Sequence, residues 1–222
     1  MNNIEHIYII NLKERNDRWK ECESQLISQR IHNYTRFDAV KPQFDNINPL
    51  HYSKNNLKIN QSYIVGSIGC KMSHLEIIKE AKRKNLERIL VLEDDFELAQ
   101  NFVDKWNLYF PMIEKSDLSS KFLYLGFNVI RDNTFIDTQI PNVKRLFKGF
   151  GTHAYTLHRD MYDTLIEQIE SCYCEIDVCY TNLQKKYEIN GLYPSLVRQR
   201  ASYSDIMNKD VNYEKFSTID ES

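Results

Sequence analysis

Ile89-Leu90-Val91-Leu92-Glu93-Asp94-Asp95-Phe96 is the stretch that decides the fold: four branched apolar residues run directly into three carboxylates. An apolar run of this length without alternation fits a strand buried on both faces, as inner strands of a parallel α/β sheet are. The acids then fall at the strand's carboxyl end, where open α/β sheets bind their ligands. Adjacent carboxylates repel one another and are costly beside a core unless a positive charge neutralises them. A divalent cation does this, and oxygen donors suit hard ions such as Mg2+ or Mn2+. The bland alternative is the solvated start of a loop, and the apolar run immediately before the acids argues against it.

Towards the N-terminus, Ile7 to Leu12 predicts a first strand and Lys13 to Arg18 a polar loop. A helix is expected from Asp17 as N-cap, with Trp19, Cys22 and Leu26 facing inward. Strand, loop and helix open a nucleotide-binding α/β unit, but the glycine fingerprint that cradles phosphate with backbone is missing. Arg15 and Arg18 are therefore the candidate partners of a diphosphate, a solvated helix start being the alternative. Arg36 to Val40 reads as a second strand, and Lys41 to Tyr63, with Pro42, Pro49 and many asparagines, as a long surface loop. Ser67 is expected to cap a helix in which Ile68, Met72, Leu75, Ile78 and Ala81 form the buried stripe and Asn85 the end. Gly66 and Gly69 sit at its start. A helical glycine costs about 1 kcal/mol, so a gain elsewhere is expected, close approach of a ligand or a strand being one candidate. His74, one turn further, reads alone as a satisfied, half-buried histidine.

Towards the C-terminus the pattern predicts a helix over Asn101 to Ile113 and a buried strand from Phe122 to Gly126. Turn glycines and a strand follow within Leu146 to Leu157, then a helix from Asp160 with Met161, Leu165 and Ile169 inside. Glu175 and Asp177 precede another helix that ends near Tyr187, and Leu192 to Gln199 is extended. After Ala201 the chain is polar and expected to be loose. With no repeat and no linker, the expectation is one α/β domain over residues 1–207 with a mostly parallel central sheet flanked by helices, and a polar tail over 208–222.

The 222 residues are 42% hydrophobic and 27% charged with a net charge of -2, which fits a globular chain and excludes a general nucleic-acid binder. No run is long enough to span a membrane, and Met1 to His6 has neither the basic nor the apolar region of a signal peptide, so a cytoplasmic location is expected. The five cysteines have no zinc-site spacing and are expected to be free thiols.

In this order the segments resemble glycosyltransferase family 25. The likeness is carried by Tyr8-Ile9-Ile10-Asn11-Leu12 with Arg15 and Arg18, Gly66-Ser67-Ile68-Gly69-Cys70 with Ser73-His74, and Leu92-Glu93-Asp94-Asp95. Ala154-Tyr155, Asp177, the segment Pro194 to Gln199 and Ser204-Asp205-Ile206 extend it over residues 5–207. Ser67, where an acid is expected, and Thr152-His153 depart from the pattern. The resemblance implies a GT-A-type fold, a UDP-sugar donor and Mn2+- or Mg2+-dependent transfer with inversion. The sugar implied is galactose or glucose, and the acceptor a hydroxyl of a glycan or of a hydroxylysine-type side chain. Donor contacts are implied at Asn11, Arg15, Arg18, Gly69, Ser73, His74, Glu93 and Asp94. Asp95 is the best metal ligand, with Asp94 as a second ligand or ribose contact, Glu93 facing the nucleoside and His153 completing the coordination. Inversion needs a base, for which the resemblance favours Asp177, with Glu175 as alternate; a helix N-terminal acid favoured by the dipole is the plain reading of Asp177. Two other classes compete. A metal-dependent phosphohydrolase is disfavoured because the first strand carries no nucleophilic Asp motif, and a non-catalytic sugar-nucleotide-binding module would bind UDP without turnover.

Overall fold

A computed structural model describes residues 1–51, 60–130, 132 and 134–221. Strand β1 (His6–Asn11), buried from Ile7 onward, leads through α1 (Asn16–Ser28) to β2 (Tyr34–Asp38). Then come α2 (Gln61–Arg83), β3 (Arg88–Glu93), the short β4 (Phe96–Leu98) and α3 (Phe102–Glu114). The second half runs β5 (Phe122–Asn128), β6 (Phe135–Asp137), β7 (Val143–Leu146), β8 (Phe150–His158), α4 (Tyr162–Ser171) and α5 (Ile176–Gln184). It ends with β9 (Asn190–Leu192), β10 (Val197–Gln199) and a hairpin of β11 (Ser202–Ser204) and β12 (Lys209–Val211).

Among the described residues the main sheet has eight strands in the order β2-β1-β3-β8-β5-β9-β7-β6. The predicted strand at Ile89 to Leu92 lies deep inside it, parallel to β1 and antiparallel to β8. Its alternation is what buries both faces. Ile89 and Val91 join Tyr8, Ile77, Ile78 and Leu165 in one core, while Leu90 and Leu92 join Ile7, Cys22, Trp106 and Phe110 in the other. The α/β expectation is met, but the sheet is mixed: β2, β1 and β3 are mutually parallel, whereas β8 runs against both β3 and β5. The reason is connectivity. Parallel neighbours need a crossover, usually a helix, and among the described residues between β5 and β8 the chain builds only the β6–β7 ribbon. No helix among the described residues is long and apolar enough to cross a membrane.

Several local expectations are corrected. Asp17 is not the N-cap of α1 but lies inside its first turn, bonded to Arg15. The expected loop from Lys41 holds two 3-10 turns, Phe44–Asn46 and Pro49–His51, while residues 52–59 lie outside the described residues. Helix α2 starts at Gln61 rather than at Ser67, and the Asn60 side chain caps it by accepting from the Ser62 N–H at 3.0 Å. Ile64 of the added turns packs with Ile68 on Ile47, a partner that the polar run around it conceals. Met72 of the expected stripe is exposed, and Ile77 is buried instead.

Nor is the polar C-terminus loose. Ser195 N–H bonds the Thr218 carbonyl at 2.6 Å and Val129 N–H bonds Phe216 at 2.7 Å. Asp220, 4% exposed, receives the buried Lys105 ammonium at 2.9 Å and the Tyr109 hydroxyl at 3.0 Å. Removing one partner of a buried pair strands the other charge. Asp220→Ala is therefore expected to lower stability by about 3–5 kcal/mol in urea unfolding, and Lys105→Met/Asp220→Leu to recover most of it. Equal losses in the single and double variants would show that packing rather than charge anchors the C-terminus.

Candidate active site

The carboxyl ends of β1, β2 and β3, the first half of α2 and the start of α5 surround a cavity of about 550 Å³. Strand alternation distributes the acids around it. Glu93 turns to the α2 side, where its Oε1 accepts from the Thr152 hydroxyl at 2.6 Å and lies 3.3 Å from His74 Nε2. Burial pushes this carboxyl up, but His74 and Thr152 outweigh it and the net shift is downward. Asp94 turns to the α1 side, where it accepts from Asn11 Nδ2 at 2.6 Å and pairs with Arg18. Its pKa is nonetheless raised, chiefly by burial.

Asp95 is held differently. Gln199 donates to its Oδ2 at 3.2 Å, while Oδ1 is a buried oxygen with no hydrogen-bond partner among the described residues. Burial first, then the charges of Glu93 and Asp94, push this carboxyl up to about 7. An orphaned carboxylate oxygen beside two further acids fits a hard divalent cation, which takes oxygen ligands and favours the ionised form.

Glu175 and Asp177 line the same cavity at the start of α5. The Tyr63 hydroxyl donates to Glu175 at 3.3 Å, and Asp177 Oδ1 accepts from the Val178 N–H at 2.7 Å. Burial raises the Asp177 pKa, and the nearby charges of Glu175 and Glu93 add to it. Buried Lys71 donates to the carbonyls of Cys172 and Cys174 and so fixes the turn that delivers these acids.

The remaining predicted residues are placed as follows. Arg18 lines the cavity, but Asp94, the Ser202 hydroxyl at 3.0 Å and the Tyr203 carbonyl occupy its guanidinium. Arg15 stands back from the cavity lining, bound by Asp17 and by Asp205 of the C-terminal hairpin. Gly69 and Ser73 act through Val40: a Cβ at Gly69 would lie 2.4 Å from the Val40 carbonyl, and Val40 N–H donates to Ser73 Oγ at 2.8 Å. They thereby set Ala39, Val40 and Lys41, which do line the cavity. His74 is fully buried behind Glu93. His153, also fully buried, is not brought to the cavity lining; it packs on Gly126 with Nε2 3.4 Å from the Val197 carbonyl.

Sequence reasoning missed Lys41, Cys70, Gln199 and Tyr213 in the lining. Cys70 was legible as the helical i, i+4 neighbour of His74. Tyr213 left no signal. Its phenol pKa is raised by burial and then by the charges of Asp95, Glu93 and Asp177, which brings the chain's end to the acid cluster. Ile206 of the hairpin packs so closely on α2 that a Cβ at Gly66 would lie 3.1 Å from its Cα.

Comparison with known proteins adds a family. The profile described as glycosyltransferase family 25 (LPS biosynthesis protein) matches residues 4–180. Procollagen galactosyltransferase 2 of Mus musculus is 30% identical over 131 residues, 55% of this chain and 20% of that protein. The Homo sapiens protein of the same name is 29% identical over 154 residues, 65% of this chain and 24% of that one. The chain thus spans less than a quarter of the length of these relatives. The crystal structure of A197 from STIV superposes with a TM-score of 0.46 and 11% identity over 99% of this chain and 96% of that one.

The raised Asp95 carboxyl makes stability depend on pH. Between the unfolded value of about 4 and the folded value of about 7 the native state binds more protons, so stability falls as pH rises across that window. Asp94 and Asp177, also raised, act in the same direction. In chelator, thermal unfolding across this range should show a shallower decline for Asp95→Asn than for the parent, and parallel curves would remove Asp95 as a source of the dependence.

Proposed function

This chain belongs to glycosyltransferase family 25, and on that premise we propose that it transfers a hexose, galactose or glucose, from a UDP-sugar to a hydroxyl group with inversion at the anomeric carbon. The acceptor is a glycan or a hydroxylysine-type side chain, and the cation Mn2+ or Mg2+. The observation that carries this reading is the convergence of two acidic groups, Glu93 to Asp95 and Glu175 with Asp177, on one cavity at the end of an inner strand. One group serves the leaving diphosphate and the other the incoming hydroxyl, which is the division an inverting transfer requires.

Asp95 is the proposed ligand of the cation, because it carries the uncommitted buried oxygen. Asp94 has both oxygens engaged by Asn11 and Arg18, so its role is to shape the donor pocket and meet the ribose. When bound, the cation neutralises charge developing on the diphosphate. Lys41 also lines the cavity, paired with Glu14 at 2.6 Å. Asp177 takes the proton of the acceptor hydroxyl, and its raised pKa suits a base that must pick up a proton near neutral pH. Glu175, held by Tyr63, is the alternate. The activity is assigned to one domain over residues 1–207, with Tyr213 of the 208–222 segment completing the cavity. The five free thiols suit a reducing, cytoplasmic compartment.

The test is UDP release from a panel of UDP-sugars with Mn2+, with and without a glycan or hydroxylysine peptide. Asp95→Asn is expected to weaken donor binding and turnover together. Asp177→Asn should bind donor as the parent does and lose about a hundredfold to ten-thousandfold in transfer rate, since a base acts in the transition state. Wild-type turnover in Asp177→Asn would move the base to Glu175. Phosphate-ester cleavage with no need of a sugar acceptor would replace the transferase reading by a hydrolase.

A further inference from the structure

Cys70 and His74 stand one turn apart on the face of α2 that meets the end of β3, and Glu93 reaches them from the strand. The Cys70 sulfur, a ring nitrogen of His74 and a carboxylate oxygen of Glu93 all lie within 4.8 Å of one another. We propose that these three side chains form a zinc-type metal site, separate from the hard-cation site at Asp95 and open to the cavity at its fourth position.

The donor set argues for the metal class. Thiolate, imidazole and carboxylate together suit Zn2+, with its tetrahedral preference, and suit Mg2+ or Mn2+ poorly because a soft sulfur ligand is included. The surroundings argue for preorganisation. His74 Nδ1 lies 2.8 Å from the Tyr155 hydroxyl, which is in turn 3.2 Å from the Tyr180 hydroxyl. Without metal, Nε2 carries the proton that Glu93 accepts. On metal binding that proton leaves, the ring proton moves to Nδ1 and is donated to Tyr155, and Nε2 is freed as a ligand, as outer-shell partners of metal-binding histidines arrange. The Thr152 hydroxyl, 2.6 Å from Glu93 Oε1, fixes the carboxylate in the same way.

Access argues for three protein ligands and one exchangeable position. Cys70 and Glu93 line the cavity while His74 is fully buried behind them, so a bound ion faces the cavity on one side only. Zinc sites with three protein ligands keep such a position for water or substrate. Charge argues in the same direction: Glu93, Asp94, Asp95, Glu175 and Asp177 line a cavity whose basic side chains are Arg18 and Lys41. The competing account is a plain His74–Glu93 pair with Cys70 as a bystander. It explains two of the three residues and gives the thiol no role. The site stands independently of the transfer reaction, since its binding is measured without a sugar nucleotide.

The chain, stripped with chelator, is titrated with Co2+ as a spectroscopic stand-in and with Zn2+. The expected result is one tightly held ion per chain and a thiolate-to-cobalt charge-transfer band. The band is lost in Cys70→Ser and kept in Asp95→Asn and Cys172→Ser. Tyr155→Phe, which removes only the outer hydroxyl, should weaken Zn2+ about 10- to 100-fold. In the unsubstituted chain Zn2+ should slow alkylation of Cys70, read by peptide mass spectrometry, so the proposal is tested even where Cys70→Ser folds poorly. A chain with no charge-transfer band, or with alkylation of Cys70 unaffected by Zn2+, overturns it. So does a band that survives Cys70→Ser and disappears in Cys172→Ser, which would put the ion on the thiols near α5.

Discussion

A buried guanidinium set against a buried carboxylate ties the site together. Arg18 of α1 pairs with Asp94 at the end of β3, Asn11 of β1 closes the other side of that carboxylate, and the same guanidinium reaches Ser202 and the Tyr203 carbonyl. Three regions remote in sequence, around residues 11–18, 94 and 202–203, therefore share one ion pair. A pair of this kind adds little net stability, because desolvation offsets most of the attraction, yet either charge left alone costs several kcal/mol, on the order of 3–5. What it fixes is register. With Asp94 committed to Arg18, the chain direction turns Glu93 to α2 and leaves Asp95 at the cavity, so three identical-looking acids acquire three different environments.

Those environments sort the chemistry. Glu93 is kept ionised by donors, Asp94 is spent on an internal pair, and Asp95 holds an oxygen without a partner. Carboxylates whose surroundings push their pKa values apart are able to serve different roles in one site. The second acid group owes its position to Lys71, a buried amine whose bonds to two carbonyls shape the turn before Glu175.

Much of this was legible in the chain. The unbroken apolar run from Ile89 to Leu92 identified the inner strand, and the acids that follow it line the cavity at its end. What escaped was what periodicity cannot express. The mixed sheet follows from a missing crossover helix between β5 and β8, a property of connectivity rather than of any strand. The anchored C-terminus rests on backbone bonds to Val129 and Ser195 and on the buried Lys105–Asp220 pair, in a stretch whose composition reads as solvated. Arg15 and Arg18 read as candidate partners of a diphosphate, and the sequence does not show that Asp205 and Asp94 meet them first. Gly69 was read as a close approach, and the approaching group is the Val40 backbone.

The hairpin after residue 201 supplies Ser204, Asp205 and Ile206 to a cavity that begins with Ile10. During synthesis the sheet residues leave the ribosome well before these do, at about 5–20 residues per second. For that interval Gln199, which bonds Asp95, and the hairpin residues of the cavity wall are still to be made. The cavity wall is thus completed by segments made after most of the main sheet. A ligand or cation arriving at that stage would bind while the cavity is being closed around it.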